Sequence, residues 1–193
     1  NGYGRAAETG ALARTVVPVY SVQVATAPLP SNLRSTILPG GQPASNTRRL
    51  LNYFGLDGEG RLVMGGRGTF GEAGRQRRQV ALRDKALELF PQLRGNDVRW
   101  EHSWGGLVAM TGDHYPHLHE LQPGLLAAMG FNGRGVAMAT RLGAVLADRV
   151  SGVEVDALDY PLMPVQPIGF HAFRKLGVSA MVHAYRLLDY LGR

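Results

Sequence analysis

The chain has no cysteine among its 193 residues, which excludes a disulfide framework, a thiolate metal site and a cysteine nucleophile. A reducing, cytoplasmic setting is the expectation that follows. No apolar run approaches the ~18 to 20 residues that a membrane-spanning helix needs. The opening residues, Asn1-Gly2-Tyr3-Gly4-Arg5, lack both the basic and the apolar part of a secretory signal. No membrane is therefore expected as a partner. There is no initiator methionine either, which suits a piece of a longer protein. Internal repeats and low-complexity tracts are missing too: the 26 glycines and 11 prolines are spread along the whole chain.

What is present is enough apolar sequence, 45% of residues, to bury one real core. The formal net charge of +6 raises nucleic acid as a partner, but the clearest basic cluster, Arg75, Arg77, Arg78 and Arg83, heads a periodic helix. A solvated basic face explains it, and no nucleic-acid binding is expected.

Strict alternation through Tyr20-Ser21-Val22-Gln23-Val24-Ala25, closed by Pro28 and Pro30, predicts a half-buried strand. Leu29 to Pro43 reads as loop or edge. Arg48 to Leu56 and Arg61 to Gly66 flank Asp57-Gly58-Glu59-Gly60, the best hairpin signal in the chain. Arg75 to Phe90 follows as a helix with Val80, Leu87 and Phe90 on one stripe, stopped by Pro91. Strand character returns from Val98 to Met110, interrupted at Gly105-Gly106. Leu125 to Phe131 then reads as a buried strand, Asn132-Gly133-Arg134-Gly135 as a turn, and Val136 to Val150 as a helix. That helix carries apolar residues on most faces, so the expectation is burial except near Arg141, Asp148 and Arg149, with an end at Ser151-Gly152. A last amphipathic helix is expected from Phe170 to Leu191.

Three patterns bear on chemistry. Gly66-Arg67-Gly68-Thr69-Phe70-Gly71 matches the dinucleotide fingerprint in letters. Its upstream strand belongs to a hairpin, Glu72-Ala73-Gly74 delays the helix, and arginines crowd the first turn against the dipole, so it is not read as one. The turn at Asn132 is better suited to a cofactor. Asn132 can cap the helix, Gly133 and Gly135 leave first-turn amides bare, and the helix start carries partial positive charge. Close helix-strand packing alone is the plain alternative. The run Asp113-His114-Tyr115-Pro116-His117-Leu118-His119 has metal-binding residue types, but Pro116 and the lack of helical i, i+4 spacing favour a polar loop, and no metal is expected.

Taken together, Trp104-Gly105-Gly106-Leu107, Thr111-Gly112-Asp113-His114-Tyr115-Pro116, Gly130-Phe131-Asn132-Gly133-Arg134-Gly135-Val136 and Leu142-Gly143 resemble, in order and spacing, the C-terminal half of the D-amino-acid-oxidase-like flavoproteins. The Pro18 to Leu29 strand, the hairpin ending Leu62-Val63-Met64-Gly65-Gly66-Arg67 and the helix ending Leu89-Phe90-Pro91 resemble that family's substrate domain. Asn1-Gly2-Tyr3 looks like a turn after a late strand of its FAD domain. The tail, with Asp159-Tyr160-Pro161, looks closest to the gamma-glutamylputrescine oxidoreductase branch.

The resemblance implies an FAD whose ring lies over Asn132 to Val136, where the helix dipole stabilises negative charge on the reduced ring. Cofactor-binding roles fall on Gly105, Gly106, Asp113, Asn132, Gly133, Arg134, Gly135 and Val136, and substrate-binding roles on Tyr53, Arg67 and Trp104. The implied reaction is hydride transfer from an amine-bearing carbon to the flavin, giving an imine that water hydrolyses, with dioxygen as acceptor. No catalytic acid or base is assigned. Ala137 stands where sarcosine-oxidase-like members have a carboxylate-binding lysine, which favours an amine or an amide-linked substrate over a small amino acid.

The expected architecture is α+β, an antiparallel or mixed substrate-domain sheet flanked by helices plus the flavin-facing helix. It divides into a remnant of the FAD-domain connection over 1–14, a substrate domain over 15–110, a flavin-facing strand-turn-helix over 111–152 and a helical extension over 153–193. The dinucleotide-binding fingerprint of the parent lies outside this stretch, so the isolated chain is expected to be inactive, to bind FAD weakly or not at all, and to self-associate through uncovered apolar surface. The contrasting reading is a stand-alone ligand- or partner-binding module without redox activity.

Overall fold

The computed structural model describes residues 10–69 and 71–192. Asn1-Gly2-Tyr3 and Phe70 of the glycine-rich motif lie outside them. The chain forms two compact units, one of residues 1–19 and 108–174, the other of residues 20–107 and 175–193.

The second unit is built on a five-stranded sheet of order β2-β3-β4-β1-β5, comprising β1 (Val17–Pro28), β2 (Ala44–Ser45), β3 (Asn52–Leu56), β4 (Arg61–Thr69) and β5 (Trp100–Met110). β3 and β4 form the hairpin that Asp57-Gly58-Glu59-Gly60 predicts. Asp57 accepts from the Glu59 and Arg61 amides at 2.9 Å each, and Gly60 takes φ +80° to close the turn. β4 also pairs antiparallel with β1, so Tyr53, Gly65 and Gln23 sit in one row and Gly55, Val63 and Ala25 in the next. The register slips between Ala25 and Pro28, where the buried Thr26 hydroxyl accepts the Leu62 N–H at 3.0 Å.

One face of this sheet is covered by α2 (Gly71–Leu89), assisted by α1 (Ser31–Arg34). Val22, Val24, Leu62 and Met64 from the sheet meet Leu82, Ala86 and Phe90, with Leu33, Ile37 and Leu93 closing the core. Phe54 and Phe90 meet edge to face at a centroid distance of 5.4 Å. Two expectations for α2 are corrected. The buried stripe is Leu82, Ala86 and Phe90, four residues apart, and Val80 is exposed. The helix also starts at Gly71 without delay, so the hairpin setting of β4, between β3 and β1, is what separates this motif from a βαβ dinucleotide site. β5 runs through Gly105-Gly106 without interruption.

In the first unit, β6 (His117–Gln122) and β7 (Leu125–Met129) make an antiparallel hairpin, and Leu162 adds a parallel bridge to Leu118. Leu12, Val16, Ala109 and Met129 form its small core. α3 (Gly135–Val150) follows β7 and ends at Ser151 and Gly152, the latter at φ +96°. Arg149 near the end of α3 makes a bidentate pair with Glu120 of β6, the shorter contact being 3.1 Å, which holds the helix to the hairpin.

The expected burial of α3 is overturned. Only Leu142 and Val145 are buried, while Val136 is 95% exposed and Val150 is also open. Hydrophobic periodicity reports that a face is apolar and not whether the same chain supplies its cover. The last helix is shorter than the expected Phe170 to Leu191: α4 spans Arg174–Tyr190, with Leu176 and Leu187 exposed, and is preceded by a separate 3-10 turn over His171–Phe173 in which Phe173 is exposed. No helix among the described residues is long and apolar enough to cross a membrane.

Candidate functional site

The turn from β7 into α3 is built from three left-handed residues in four, Gly130 at φ +70°, Asn132 at +53° and Gly133 at +87°. Gly130 is required on two counts, since a Cβ there would also lie 2.3 Å from Thr111 Cγ2. Asparagine is among the few side-chain-bearing residues that tolerate this conformation, and here its side chain is fully used. Asn132 Oδ1 accepts the Thr111 N–H at 2.9 Å, and its Nδ2 donates to Thr111 Oγ1 at 2.9 Å and to the Gly130 carbonyl. Its own N–H reaches the Ala109 carbonyl at 3.1 Å.

Asn132 is therefore a latch to the end of β5 and not the helix cap expected of it. The cap position belongs to Arg134, which makes no side-chain cap hydrogen bond. No acidic residue sits in the first turn. The amides at the start of α3 consequently face outward without a side-chain acceptor, beside the uncrowded Gly135. The Arg134 guanidinium is directed to the His114 carbonyl.

The loop before β6 is tied to this turn. The Thr111 hydroxyl donates to the Tyr115 carbonyl at 2.8 Å, and Tyr160 donates to the Pro116 carbonyl at 2.7 Å. Asp113 accepts the Tyr115 N–H at 3.0 Å and faces His117 Nε2, 3.1 Å from each carboxylate oxygen. Burial alone would raise the Asp113 carboxyl, but bonds from Tyr115, His117 and Thr111 outweigh it and hold the group below the ordinary carboxylate range.

Of the three histidines, His117 and His119 lie on strand β6 and not in a loop. His119 is fully buried, meets the Met163 carbonyl through Nδ1 at 2.8 Å and leaves Nε2 without a partner. Burial is the main cause that keeps its imidazole below its usual pKa, so it is a neutral structural group. The described residues contain no cluster suited to a metal ion.

Tyr53, Arg67, Trp104, Gly105 and Gly106 lie in the other unit. Gly65 and Arg67 alternate along β4 and so share the face opposite α2 with Tyr53. A Cβ on Gly105 would approach Val22 Cγ2 at 3.6 Å and the α2 residue Arg75 at 3.5 Å, which places Gly105 on the helix-covered face. Its neighbours Trp104 and Gly106 then project to the same face as Tyr53. The sheet thus gathers the three candidate substrate residues on the face opposite α2. Tyr53 lies across Gly65, where a Cβ would be 1.9 Å from its ring, and its hydroxyl is 2.6 Å from Ser21 Oγ and accepts from Gln23 Nε2 at 2.8 Å.

Sequence reading did not single out Ser21, Gln23 or Thr111. The alternation through β1 already put Ser21 and Gln23 on its polar face, but nothing local linked them to Tyr53, some thirty residues away.

Residues 2–149 match the model of the family described as DAO, FAD dependent oxidoreductase. The chain belongs to that family. Among curated proteins, this DAO-family chain is 32% identical over 176 residues to a protein named probable oxidoreductase OrdL from Rhizobium meliloti (strain 1021), covering 90% of this chain and 40% of that protein. It is 26% identical over 183 residues to gamma-glutamylputrescine oxidoreductase from Escherichia coli (strain K12), covering 94% and 42%. The DAO-family chain thus spans about 40% of the length of these relatives. Among solved structures it is similar to glycine oxidase from Geobacillus kaustophilus, with TM-score 0.56 and 25% identity over 80% of this chain and 40% of that one. Iminodiacetate oxidase from Chelativorans sp. BNC1, at TM-score 0.59 and 19% identity over 80% of this chain and 40% of that one, shares the fold.

Proposed function

We propose that this chain supplies the flavin-ring-facing turn and the substrate-facing sheet of an FAD-dependent amine oxidoreductase. The observation that carries the reading is the α3 N-terminus, uncapped and free of acidic residues behind a turn fixed by Asn132, in a chain of the DAO family. A flat, anion-forming ring fits there: Gly133 and Gly135 add no side-chain bulk, and Val136 is exposed beside the first-turn amides. Asn132, Gly133, Arg134, Gly135 and Val136 would hold the ring, with Asp113 fixing the adjoining loop.

FAD held there would supply the redox chemistry, as acceptor of a hydride from the carbon bearing the substrate amine, with dioxygen as the final oxidant. The chain's own part is to bind, orient and stabilise charge. The α3 dipole favours negative charge on the reduced ring by about 0.5 to 1 kcal/mol, while Tyr53, Arg67 and Trp104 hold the substrate. An amine substrate is supported by the names of the relatives, which include a gamma-glutamylputrescine oxidoreductase, and by Ala137, an apolar residue next to Val136. The separate chain is inactive in this reading, because the adenosine and pyrophosphate end of FAD needs the remainder of the parent protein.

Replacing Val136 by aspartate puts a negative charge against the same amides. In the full-length protein, Val136→Asp lowers the reduction potential of the bound flavin by the equivalent of about 1 kcal/mol. An unchanged potential with flavin still bound removes α3 from the flavin site.

A further inference from the structure

On the face of the sheet opposite α2, Ser21, Gln23 and Tyr53 form a closed polar triad. Gln23 Nε2 donates to Ser21 Oγ at 3.2 Å and to the Tyr53 hydroxyl at 2.8 Å, and the two hydroxyls are 2.6 Å apart. The opposite orientation of the amide would have both hydroxyls donating to Oε1, leaving no proton for the 2.6 Å contact. The observed orientation satisfies all three.

The donor count then leaves a defined remainder. Both Gln23 N–H groups are used, and one of the two hydroxyl protons is used between Ser21 and Tyr53. One hydroxyl proton and the Gln23 Oε1 acceptor are left over; Oε1 makes no hydrogen bond among the described residues. All three side chains are half-buried, so the leftover pair is not fully hydrated. Beside them Tyr53 forms part of the wall of a mostly apolar groove of about 280 Å³, with Pro43, Ala44, Phe54, Gly55, Leu56 and Val63 and with Asp57 at one end of the β3 wall. The rows Tyr53-Gly65-Gln23 and Gly55-Val63-Ala25 are adjacent, which makes groove and triad neighbours on one surface.

We propose that this is a subsite for a carboxamide carried on an aliphatic chain. Gln23 Oε1 accepts the amide N–H, the free hydroxyl proton of the Ser21–Tyr53 pair donates to the amide carbonyl, and the groove takes the methylenes. A small apolar pocket with a few convergent polar groups is the ordinary form of such a site. A site built to meet an N–H discriminates against an analogue that lacks it, because the half-buried acceptor is then cut off from water and left unpaired. The proposal rests on the substrate-face reading above and names the group recognised at the end of the substrate that does not react.

The test uses the full-length protein and two probes of the same shape, pentanamide and 2-hexanone, the second keeping the carbonyl and lacking the N–H. Their dissociation constants are measured by ligand-observed NMR, with the melting transition of each variant recorded alongside. Wild type binds pentanamide about five- to tenfold more tightly than 2-hexanone. Gln23→Leu removes that preference by weakening the amide alone. Gln23→Met, closer in shape, carries the same expectation should the leucine variant lose its melting transition. A wild type without the preference, or variants that weaken both probes equally, overturns the subsite. Binding needs no flavin turnover. A protein that binds no FAD but keeps the preference therefore retires the oxidoreductase reading alone, and one reduced by amines but lacking the preference retires the subsite alone.

Discussion

Replacing Asn132 by leucine is expected to destabilise the protein by about 3 to 5 kcal/mol, far more than a typical substitution. Two costs combine. A branched side chain held at the φ of +53° found here costs about 1 to 2 kcal/mol. The buried Thr111 N–H loses the acceptor that now satisfies it, at about 1 to 3 kcal/mol for an orphaned buried donor, while the Thr111 hydroxyl keeps the Tyr115 carbonyl and loses the Asn132 donor. Asn132→Gly separates the two, because glycine removes the strain and keeps the lost hydrogen bonds, so it should lie near half the leucine value. Urea midpoints of the three proteins decide the matter. A leucine variant within about 1 kcal/mol of wild type would show that Asn132 does not latch the turn.

Gly65→Val is the second large effect, and it runs against strand propensity. Valine is favoured in strands and glycine is not, so secondary-structure preference alone predicts stabilisation. The structure predicts the reverse: a Cβ at Gly65 would lie 1.9 Å from Tyr53 Cε2 and 2.5 Å from Cζ, and the ring must leave its place. The expected cost is about 2 to 3 kcal/mol from overpacking a half-buried face. Displacing the ring also separates the Tyr53 hydroxyl from Ser21 and Gln23. Thermal unfolding reads the first consequence. Unchanged or raised stability would contradict the packing of Tyr53 on the glycine.

These two positions show how much was legible from sequence. The alternation Tyr20 to Ala25 and the turn Asp57 to Gly60 carried the β1 strand and the β3–β4 hairpin, because period-two patterning and turn chemistry are local signals. The glycine turn after β7 was also visible. Its internal construction was not. Asn132 in letters is a helix cap, and only the partner at Thr111, twenty-one residues earlier, makes it a latch. The α2 stripe was misplaced for a similar reason: Val80 and Leu82 are equally apolar, and the orientation of the helix on β4 selects Leu82 for the core. The exposure of α3 lies beyond sequence patterning altogether, since an apolar face does not name its cover.

His119 belongs with these. Its neighbours suggested a polar loop, yet it lies buried on β6, bonded to a carbonyl forty-four residues away. A histidine on an alternating strand points inward or outward according to register alone, and register was not available from the seven-residue run.

In the function we propose, the full-length protein is a flavin-dependent amine oxidoreductase whose ring site includes the α3 N-terminus. The most direct measurement is the visible flavin absorbance of the purified full-length protein, followed under anaerobic addition of a panel of amines and N-alkyl amino acids. The account predicts a yellow protein bleached by an amine. A colourless protein that cannot be reconstituted with FAD would contradict it.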